Sequence, residues 1–178
     1  MRAAVFIATS LDGFIARQDG ELDWLVDPDQ GVEDYGFGEF MDSVEAVVVG
    51  RNTFEVVRSA ESWSYRDKPF FVLSNRDLDL PDHLRDRVER RSGSIDHISQ
   101  YFAQRGVDRV YVDGGATIRQ FLRAGLVESL TITTLPILLG SGISLFGDVG
   151  GDITLQLAHS TSFSNGWIQS EYRVGDRP

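Results

Sequence analysis

Short apolar runs separated by polar segments are the clearest pattern along this chain. Ala46 to Gly50, Pro69 to Leu73 and Arg109 to Asp113 are mainly apolar, as expected for strands buried on both faces of a parallel sheet. Arg2 to Thr9 is apolar and rich in residues that favour strands, and Val88 to Arg91 is compatible with a short strand. We predict that these runs form the body of one sheet.

Apolar residues three and four positions apart predict a helix between the first two of these buried runs. Phe37, Phe40, Met41 and Val44 form this stripe within the segment from Val32 to Val44. We therefore predict the first helix over that segment.

Two more helices are predicted later in the chain. Ser94 is suited to cap a helix that continues through Gln104 and stops at Gly106. The other follows directly after Gly114 and Gly115, which makes a strand, glycine and helix unit.

The C-terminal part of the chain is rich in strands. Leu130 to Leu139, Ile153 to His159 and Trp167 to Val174 are predicted strands, and the last two form a hairpin around Ser164 to Gly166. The element order β, α, β, β, α, β, α, β, β, β predicts an α/β fold with a mainly parallel, helix-covered sheet and an antiparallel C-terminal hairpin. We expect residues 1–178 to form a single domain.

Composition narrows the function classes. The 178 residues are 42% hydrophobic and contain no cysteine and three histidines, which excludes disulfides and thiolate sites and disfavours a histidine-rich metal site. A net charge of -10 argues against nucleic-acid binding. No apolar stretch approaches the roughly 20 residues of a membrane-spanning helix, and the N-terminus does not resemble a signal peptide. We expect a cytoplasmic protein without a membrane or nucleic-acid partner.

Three polar segments follow predicted strands and are expected to meet at one sheet edge, where α/β proteins bind ligands. Glycines there allow close approach of a phosphate, and a helix N-terminus offers unpaired N–H groups. The alternative is that such glycines serve only as tight turns. The candidate cofactor-binding residues are Gly50, Arg51, Asn52 and Thr53, then Ser74, Asn75 and Arg76, and finally Gly114, Gly115, Ala116 and Thr117.

Arginine in two of these segments indicates which dinucleotide binds. The guanidinium groups of Arg51 and Arg76 are suited to hold a ribose phosphate in a bidentate manner. That phosphate distinguishes NADP from NAD, so we predict NADPH. The glycine-rich fingerprint of ordinary dinucleotide-binding folds is absent, and an isolated arginine is often only a surface charge.

Four motifs together resemble one family. They are SLDGFIA from Ser10 to Ala16, VGRNTFE from Val49 to Glu55, VDGGA from Val112 to Ala116, and PILLGSG from Pro136 to Gly142. In this order they resemble the riboflavin biosynthesis reductase C-terminal domain, which forms part of the bacterial bifunctional deaminase-reductase and belongs to the dihydrofolate-reductase-like superfamily. The resemblance implies the dihydrofolate reductase fold, NADPH as the cofactor and a homodimer.

The resemblance also implies roles for the loop from Leu11 to Trp24. The loop would cover the nicotinamide and exclude water from hydride transfer. The alternative is that the loop is a plain surface connection. The resemblance also implies that the Gly114–Gly115 bond is cis. Trp24 would either stack on a flat heterocycle or anchor the core. The implied residues are Ala8, Gly13 and Ile15 at the cofactor, and Asp12, Trp24 and Phe37 at the substrate.

Dihydrofolate reductases carry an acidic residue on the first helix. By position, Asp34 is the candidate catalytic residue here, with Glu33 beside it. The other interpretation is an exposed charge in the first helical turn, where the helix dipole favours it.

These observations leave three hypotheses for function. The first is an NADPH-dependent reductase of the 5-amino-6-(5-phosphoribosylamino)uracil reductase type, acting on a small heterocyclic or sugar-linked substrate. The second is dihydrofolate reductase, and the third is a non-catalytic nucleotide-binding module of the same fold. The apolar segment from Leu130 to Leu139 would either contribute to a dimer interface or lie in the core.

Overall fold

An eight-stranded sheet forms the centre of the computed structural model, which describes residues 1–25, 34–58, 63 and 65–175. Two further short strands, β2 and β8, pair with each other in a separate sheet. The strands are β1 (Arg2–Ser10), β2 (Phe14–Ala16), β3 (Ala46–Gly50), β4 (Phe70–Leu73), β5 (Val88–Arg91), β6 (Arg109–Asp113), β7 (Val127–Leu135), β8 (Ile143–Ser144), β9 (Leu155–Ser162) and β10 (Ile168–Val174). The helices are α1 (Phe37–Asp42), α2 (Arg51–Val57), α3 (Ile95–Ala103) and α4 (Gly115–Arg123).

The strand order of the large sheet is β5-β4-β3-β6-β1-β7-β10-β9. The pairs from β5 through β7 are all parallel, whereas β10 runs antiparallel to both β7 and β9. This architecture confirms the predicted α/β fold with a mainly parallel sheet and an antiparallel C-terminal hairpin.

Helices cover both faces of the sheet, which explains why the inner strands are apolar throughout. On one face, Ile98 of α3 and Phe121 of α4 pack against Val48 in the same buried cluster. On the other face, Met41 of α1 and Phe54 of α2 belong to a second cluster. Burial on both faces matches the continuous apolar runs of the sequence.

The first helix is shorter than predicted. It begins at Phe37 because Gly36 adopts a left-handed conformation with φ of 80°. Asp34 lies before the helix, and its carboxylate accepts hydrogen bonds from the backbone N–H of Gly36 at 2.9 Å and of Gly38 at 3.0 Å. Val32 and Glu33 fall outside the described residues.

The predicted order lacks α2, β2 and β8, and it also lacks β5, although Val88 to Arg91 was compatible with a short strand. The helix α2 follows β3 without an intervening loop, so its apolar residues appear in the sequence as a continuation of the strand. The strands β2 and β8 have three and two residues, which is too short for a periodic pattern.

The strand β7 ends earlier than predicted and lies inside the sheet. It stops at Leu135, directly before Pro136, whose ring nitrogen has no hydrogen to donate to a neighbouring strand. Because β7 pairs with both β1 and β10, Leu130 and Leu135 are buried in the monomer. For Leu130 and Leu135 this burial supports the core interpretation. Dimerisation, and any contribution of the segment from Leu130 to Leu139 to it, stays a prediction.

The C-terminal hairpin forms where it was expected. Asn165 accepts a hydrogen bond from the backbone N–H of Trp167 at 3.0 Å, and the Gly166 N–H donates to the Phe163 carbonyl at 3.0 Å. Among the described residues, no helix has the length and apolar character needed to cross a membrane.

Candidate active site

A cleft of about 1010 Å³ runs along the edge of the sheet where the parallel strands end. Residues that follow β5, β4, β3 and β6 line it in that order, and Ile7 and Ala8 of β1 line the next position. Four strand-to-strand steps of roughly 4.8 Å make this edge about 19 Å long, which suits an extended dinucleotide. All predicted cofactor residues except Gly13 and Arg76 line the cleft: Ala8, Ile15, Gly50, Arg51, Asn52, Thr53, Ser74, Asn75, Gly114, Gly115, Ala116 and Thr117.

The N-terminus of α4 opens onto the middle of this cleft. Gly114 has φ of 90°, and a Cβ atom built on it would lie 2.1 Å from the Thr53 hydroxyl oxygen. The first helical bond runs from the Ile118 N–H to the Gly114 carbonyl at 2.9 Å. The N–H groups between these residues therefore precede the helical ladder, where they are suited to bind an anion.

The peptide bond between Gly114 and Gly115 is trans, so the cis bond implied by the resemblance is wrong. The positive φ of Gly114 turns the chain from β6 into α4 without it. Gly115 is also crowded, because a Cβ there would lie 2.9 Å from the Ser144 carbonyl oxygen and 3.1 Å from Cδ1 of Ile15. Only a residue without a side chain fits between α4 and the small sheet of β2 and β8.

The small sheet of β2 and β8, which we call the flap, lies against α4. Nη1 of Arg119 on α4 donates to the carbonyl oxygens of Ser144 at 2.7 Å and Leu145 at 3.1 Å. The Leu145 N–H donates to the Gly13 carbonyl at 3.0 Å. Gly13 therefore joins the two halves of the flap instead of lining the cleft.

Asp12 was predicted to contact substrate but anchors the loop beside the flap. Its carboxylate accepts hydrogen bonds from the Ser10 hydroxyl at 2.6 Å and from the backbone N–H groups of Leu139 at 3.1 Å and Gly140 at 2.7 Å. The Ser10 hydroxyl, followed by these amides, lowers the pKa of the Asp12 carboxyl. Both oxygens are occupied within the protein, so the predicted substrate contact is not supported.

The two aromatic residues predicted at the substrate lie behind the cleft. Trp24 is buried in a cluster with Leu135 and Trp167, which supports the core-anchor interpretation. Phe37 packs edge-on against Phe6, with ring centroids 5.4 Å apart. Phe6 lines the cleft and Phe37 supports it from behind.

One end of the cleft, beside β3, β4 and β5, carries Arg51 and Arg91, which form ion pairs with Glu55 and Glu89. Nη1 of Arg51 donates to the Asp77 carbonyl at 2.9 Å, which ties the residues after β4 to the start of α2. Arg76 does not line the cleft, whereas Arg91 at the end of β5 does. The guanidinium carbon of Arg91 stacks 3.9 Å above the centre of the Tyr101 ring. Arg91 thus takes the position that the sequence suggested for Arg76.

A carboxyl group lies at the floor of the cleft beside two tyrosines. The Tyr65 hydroxyl donates to Oδ2 of Asp113 at 3.2 Å, and the Gly114 N–H donates to Oδ1 at 2.7 Å. Burial of the Asp113 carboxyl raises its pKa, although these hydrogen bonds and that of Tyr111 act in the opposite direction. Burial, and then the nearby Asp113 charge, raises the pKa values of Tyr65 and Tyr111 well above the ordinary value.

Sequence reasoning did not select Asp113 and chose Asp34 instead. Asp34 is exposed, does not line the cleft and is bonded to the amides of Gly36 and Gly38. The structure does not bring Asp34 to the cleft, so its proposed catalytic role stays a prediction that its position does not support. The sequence does contain a signal for Asp113, because this acidic residue ends an apolar strand directly before Gly114 and Gly115.

The charged groups of the cleft are arginines and isolated carboxylates. Among the described residues, no group of three or more His, Asp or Glu side chains has the arrangement of a metal site. Three arginines and three acidic residues line the cleft, and the remaining lining is largely backbone and apolar groups. The list is Arg51, Arg91, Arg119, Asp19, Glu55 and Asp113.

An α/β sheet with a cleft along the carboxyl ends of its parallel strands, beside a buried acid, is the arrangement to compare with known families. The family model of the RibD C-terminal domain matches residues 3–169. The chain belongs to that family.

Comparisons with individual proteins agree with this assignment. A Shewanella sp. PV-4 protein named for riboflavin biosynthesis is 38% identical, with a TM-score of 0.90 over 99% of this chain and 100% of the other. The dihydrofolate reductase HdrB of Haloferax volcanii is 31% identical over 74% of this chain and 64% of its own length. The dihydrofolate reductase of Enterococcus faecalis in complex with NADP(H) shares only 17% identity, yet its fold matches with a TM-score of 0.68 over 98% of this chain and 97% of the other.

Proposed function

We propose that this protein is an NADPH-dependent reductase that transfers hydride to a small planar heterocycle or a heterocycle linked to a sugar. The reference reaction is the reduction in the name of a Thermotoga maritima protein of similar fold, a deaminase and 5-amino-6-(5-phosphoribosylamino)uracil reductase. This chain spans about half of that protein's chain. The observation that carries the proposal is Asp113, a carboxyl group held in the cleft directly beside the N-terminus of α4.

The cleft provides suitable partners along the length of NADPH. Arg51 and Arg91 give charged groups for the phosphate of the adenosine ribose. The N–H groups at the start of α4 are suited to the pyrophosphate. Ala8 and Ile15 offer apolar surface for the nicotinamide next to the flap. The fold match to a dihydrofolate reductase in complex with NADP(H) supports the same placement.

The chain's own residues would then supply the proton and exclude water. NADPH supplies hydride to the carbon of a C=N or C=O bond. Asp113, whose carboxyl pKa is raised by burial, would donate the proton to the nitrogen or oxygen of that bond. The carboxylate that remains is stabilised by the hydrogen bonds from Tyr65 and Gly114. The flap closes the cleft on the side of α4, which limits access of water to the reacting bond.

Titration with NADPH, NADH and NADP tests this proposal through nucleotide fluorescence and protein fluorescence. We expect tighter binding of NADPH than of NADH, and a loss of about tenfold for Arg51→Ala and Arg91→Ala, since each removes a charged partner of the phosphate. Arg76→Ala is the matched control, and we expect a smaller loss because Arg76 does not line the cleft. Failure of all three nucleotides to bind would refute the enzyme hypothesis.

Dihydrofolate reductase is the second candidate, favoured by the similarity to HdrB. In this protein Asp113 would have to replace the acid expected on the first helix, because Asp34 lies outside the cleft. Oxidation of NADPH with dihydrofolate as the substrate distinguishes this candidate from the first.

A further inference from the structure

The two ends of the cleft differ in charge. Arg51 and Arg91 follow β3 and β5, at the end we call the phosphate end. Arg119 is the third cation of the cleft, but its guanidinium already donates to the carbonyls of Ser144 and Leu145 in the flap. Among the described residues, these three arginines are all the lysine or arginine side chains that line the cleft.

A second part of the cleft, formed by β1, the loop after β2, the C-terminal end of α2 and Tyr65, is mainly apolar and aromatic, and we call it the substrate end. The helix α2 contributes Val56 and Val57 to this end. Val57 packs in the same cluster as Phe6 of β1 and Tyr65. Leu22, Leu25 and Val56 keep 40%, 38% and 43% of their surface exposed. The substrate end consists of Phe6, Leu22, Leu25, Val56, Val57 and Tyr65.

Neighbouring arginines do not supply a free cation to this end. Arg58 bonds Glu55 at 2.8 Å, Arg17 bonds Asp23 at 2.5 Å, and Arg66 forms an ion pair with Asp42. None of these three arginines lines the cleft.

The adjoining sequence carries no cation either. Residues 26–33 read VDPDQGVE and residues 59–62 read SAES. Neither stretch contains lysine, arginine or histidine, and both contain acidic residues. Whatever their arrangement, these segments cannot contribute a positive charge to a bound substrate.

A phosphate group would therefore be poorly accommodated at the substrate end. A dianion placed beside apolar side chains loses hydration without gaining an ion pair, and Asp19 in the same cleft adds repulsion. A flat aromatic ring, in contrast, is matched by Phe6 and Tyr65. We propose that the substrate is a planar nitrogen heterocycle without a phosphate group. This inference rests on the proposed function, because it places NADPH at the phosphate end.

Matched ligand pairs test the inference on the full-length protein loaded with NADP. The first pair is 5-amino-6-(5-phosphoribosylamino)uracil with and without its phosphate, and the second is flavin mononucleotide with riboflavin. Calorimetry measures the dissociation constant of each compound. We expect the phosphate-free member of at least one pair to bind roughly tenfold or more tightly than its phosphorylated partner.

A charge added at the substrate end provides a variant test. Val56 is exposed enough to accept a longer side chain without disturbing the core. Val56→Arg should shift the ratio of affinities toward the phosphorylated member, whereas Val56→Gln, of similar size but uncharged, should not.

The outcomes separate this inference from the proposed function. In both pairs, equal or tighter binding of the phosphorylated member would overturn the inference and leave the NADPH-dependent reductase intact. Failure of both phosphate-free compounds to bind the NADP-loaded protein would also overturn it. Failure of NADP itself to bind would instead overturn the proposed function, and the inference with it.

Discussion

The Tyr65 hydroxyl donates a 3.2 Å hydrogen bond to the carboxylate of Asp113, across 48 positions of sequence. This contact connects the segment before β4 with the end of β6 and holds the carboxyl group at the floor of the cleft. It also makes Asp113 the acidic residue best placed to act on a bound substrate.

The first prediction concerns Asp113→Asn. Asparagine has the same shape but cannot deliver a proton to the substrate, so we expect kcat to fall by about 100-fold or more. NADPH affinity should change little, because the variant keeps an acceptor for the Gly114 N–H. Steady-state kinetics and nucleotide titration on the same sample check both statements, and a kcat close to that of the parent protein would remove Asp113 from the mechanism.

The second prediction follows from the raised pKa of Asp113. The folded protein holds this proton more tightly than the unfolded chain does. The associated stability is fully present below pH 3.8, the ordinary aspartate pKa, and is lost as pH rises through the raised pKa. The asparagine in Asp113→Asn does not ionise. As pH rises, the free energy of unfolding of this variant should therefore increase relative to that of the parent protein. Urea unfolding over a pH series measures this difference.

Asp12→Asn provides a control of opposite sign. The Ser10 hydroxyl lowers the pKa of Asp12, so its contribution is present above pH 3.8 and is lost as pH falls through the lowered pKa. The stability difference between parent protein and Asp12→Asn should shrink toward low pH. If the stability difference from the parent protein changed with pH in the same direction for both variants, the opposite pKa shifts of Asp113 and Asp12 would be contradicted.

The third prediction compares two glycines with positive φ. Ala at Gly106 meets nothing within 4 Å, so only the backbone conformation is disfavoured, by about 1–2 kcal/mol. Ala at Gly114 adds a Cβ at 2.1 Å from the Thr53 hydroxyl oxygen. We expect Gly114→Ala to destabilise folding more than Gly106→Ala and to abolish NADPH binding. Thermal unfolding with and without NADPH tests this, and equal effects of the two substitutions would show that the contact with Thr53 is unimportant.

The fourth prediction concerns the flap. Arg119→Gln removes the charged donor to the Ser144 and Leu145 carbonyls, so the flap should cover the cofactor less well. We expect the KM for NADPH to rise by about tenfold with a smaller fall in kcat, and partial rescue in Arg119→Lys. Arg123→Gln is the control, because Arg123 bonds the Asp148 carbonyl further along α4 and does not line the cleft. Matching kinetic effects in the two glutamine variants would argue against a role for the flap contact.

Local patterns were sufficient to predict the strands and the segments at their carboxyl ends. The runs from Ala46 to Gly50 and from Arg109 to Asp113 are buried strands as predicted, because an inner strand has no solvent face and needs no polar alternation. Gly114 was recognised because the glycine pair follows such a strand.

The assignment of the acid and of one cation required tertiary information. Gly36 delays the first helix, which leaves Asp34 in a turn outside the cleft. Arg91 lines the cleft and Arg76 does not. Which of the two side chains reaches the cleft depends on the direction that the chain takes after each strand. The partnership of Asp113 with Tyr65 depends on a contact between distant segments, which no local pattern records.

Hydrogen exchange of the backbone amides, measured by mass spectrometry with and without NADPH, tests the central claim most directly. NADPH should protect the segments from Gly50 to Thr53, from Arg91 to Gly93 and from Gly114 to Thr117, which line one cleft. Protection confined to a second cavity, which includes residues 66–71 at the opposite end of β4, or no protection at all, would contradict the placement of the cofactor.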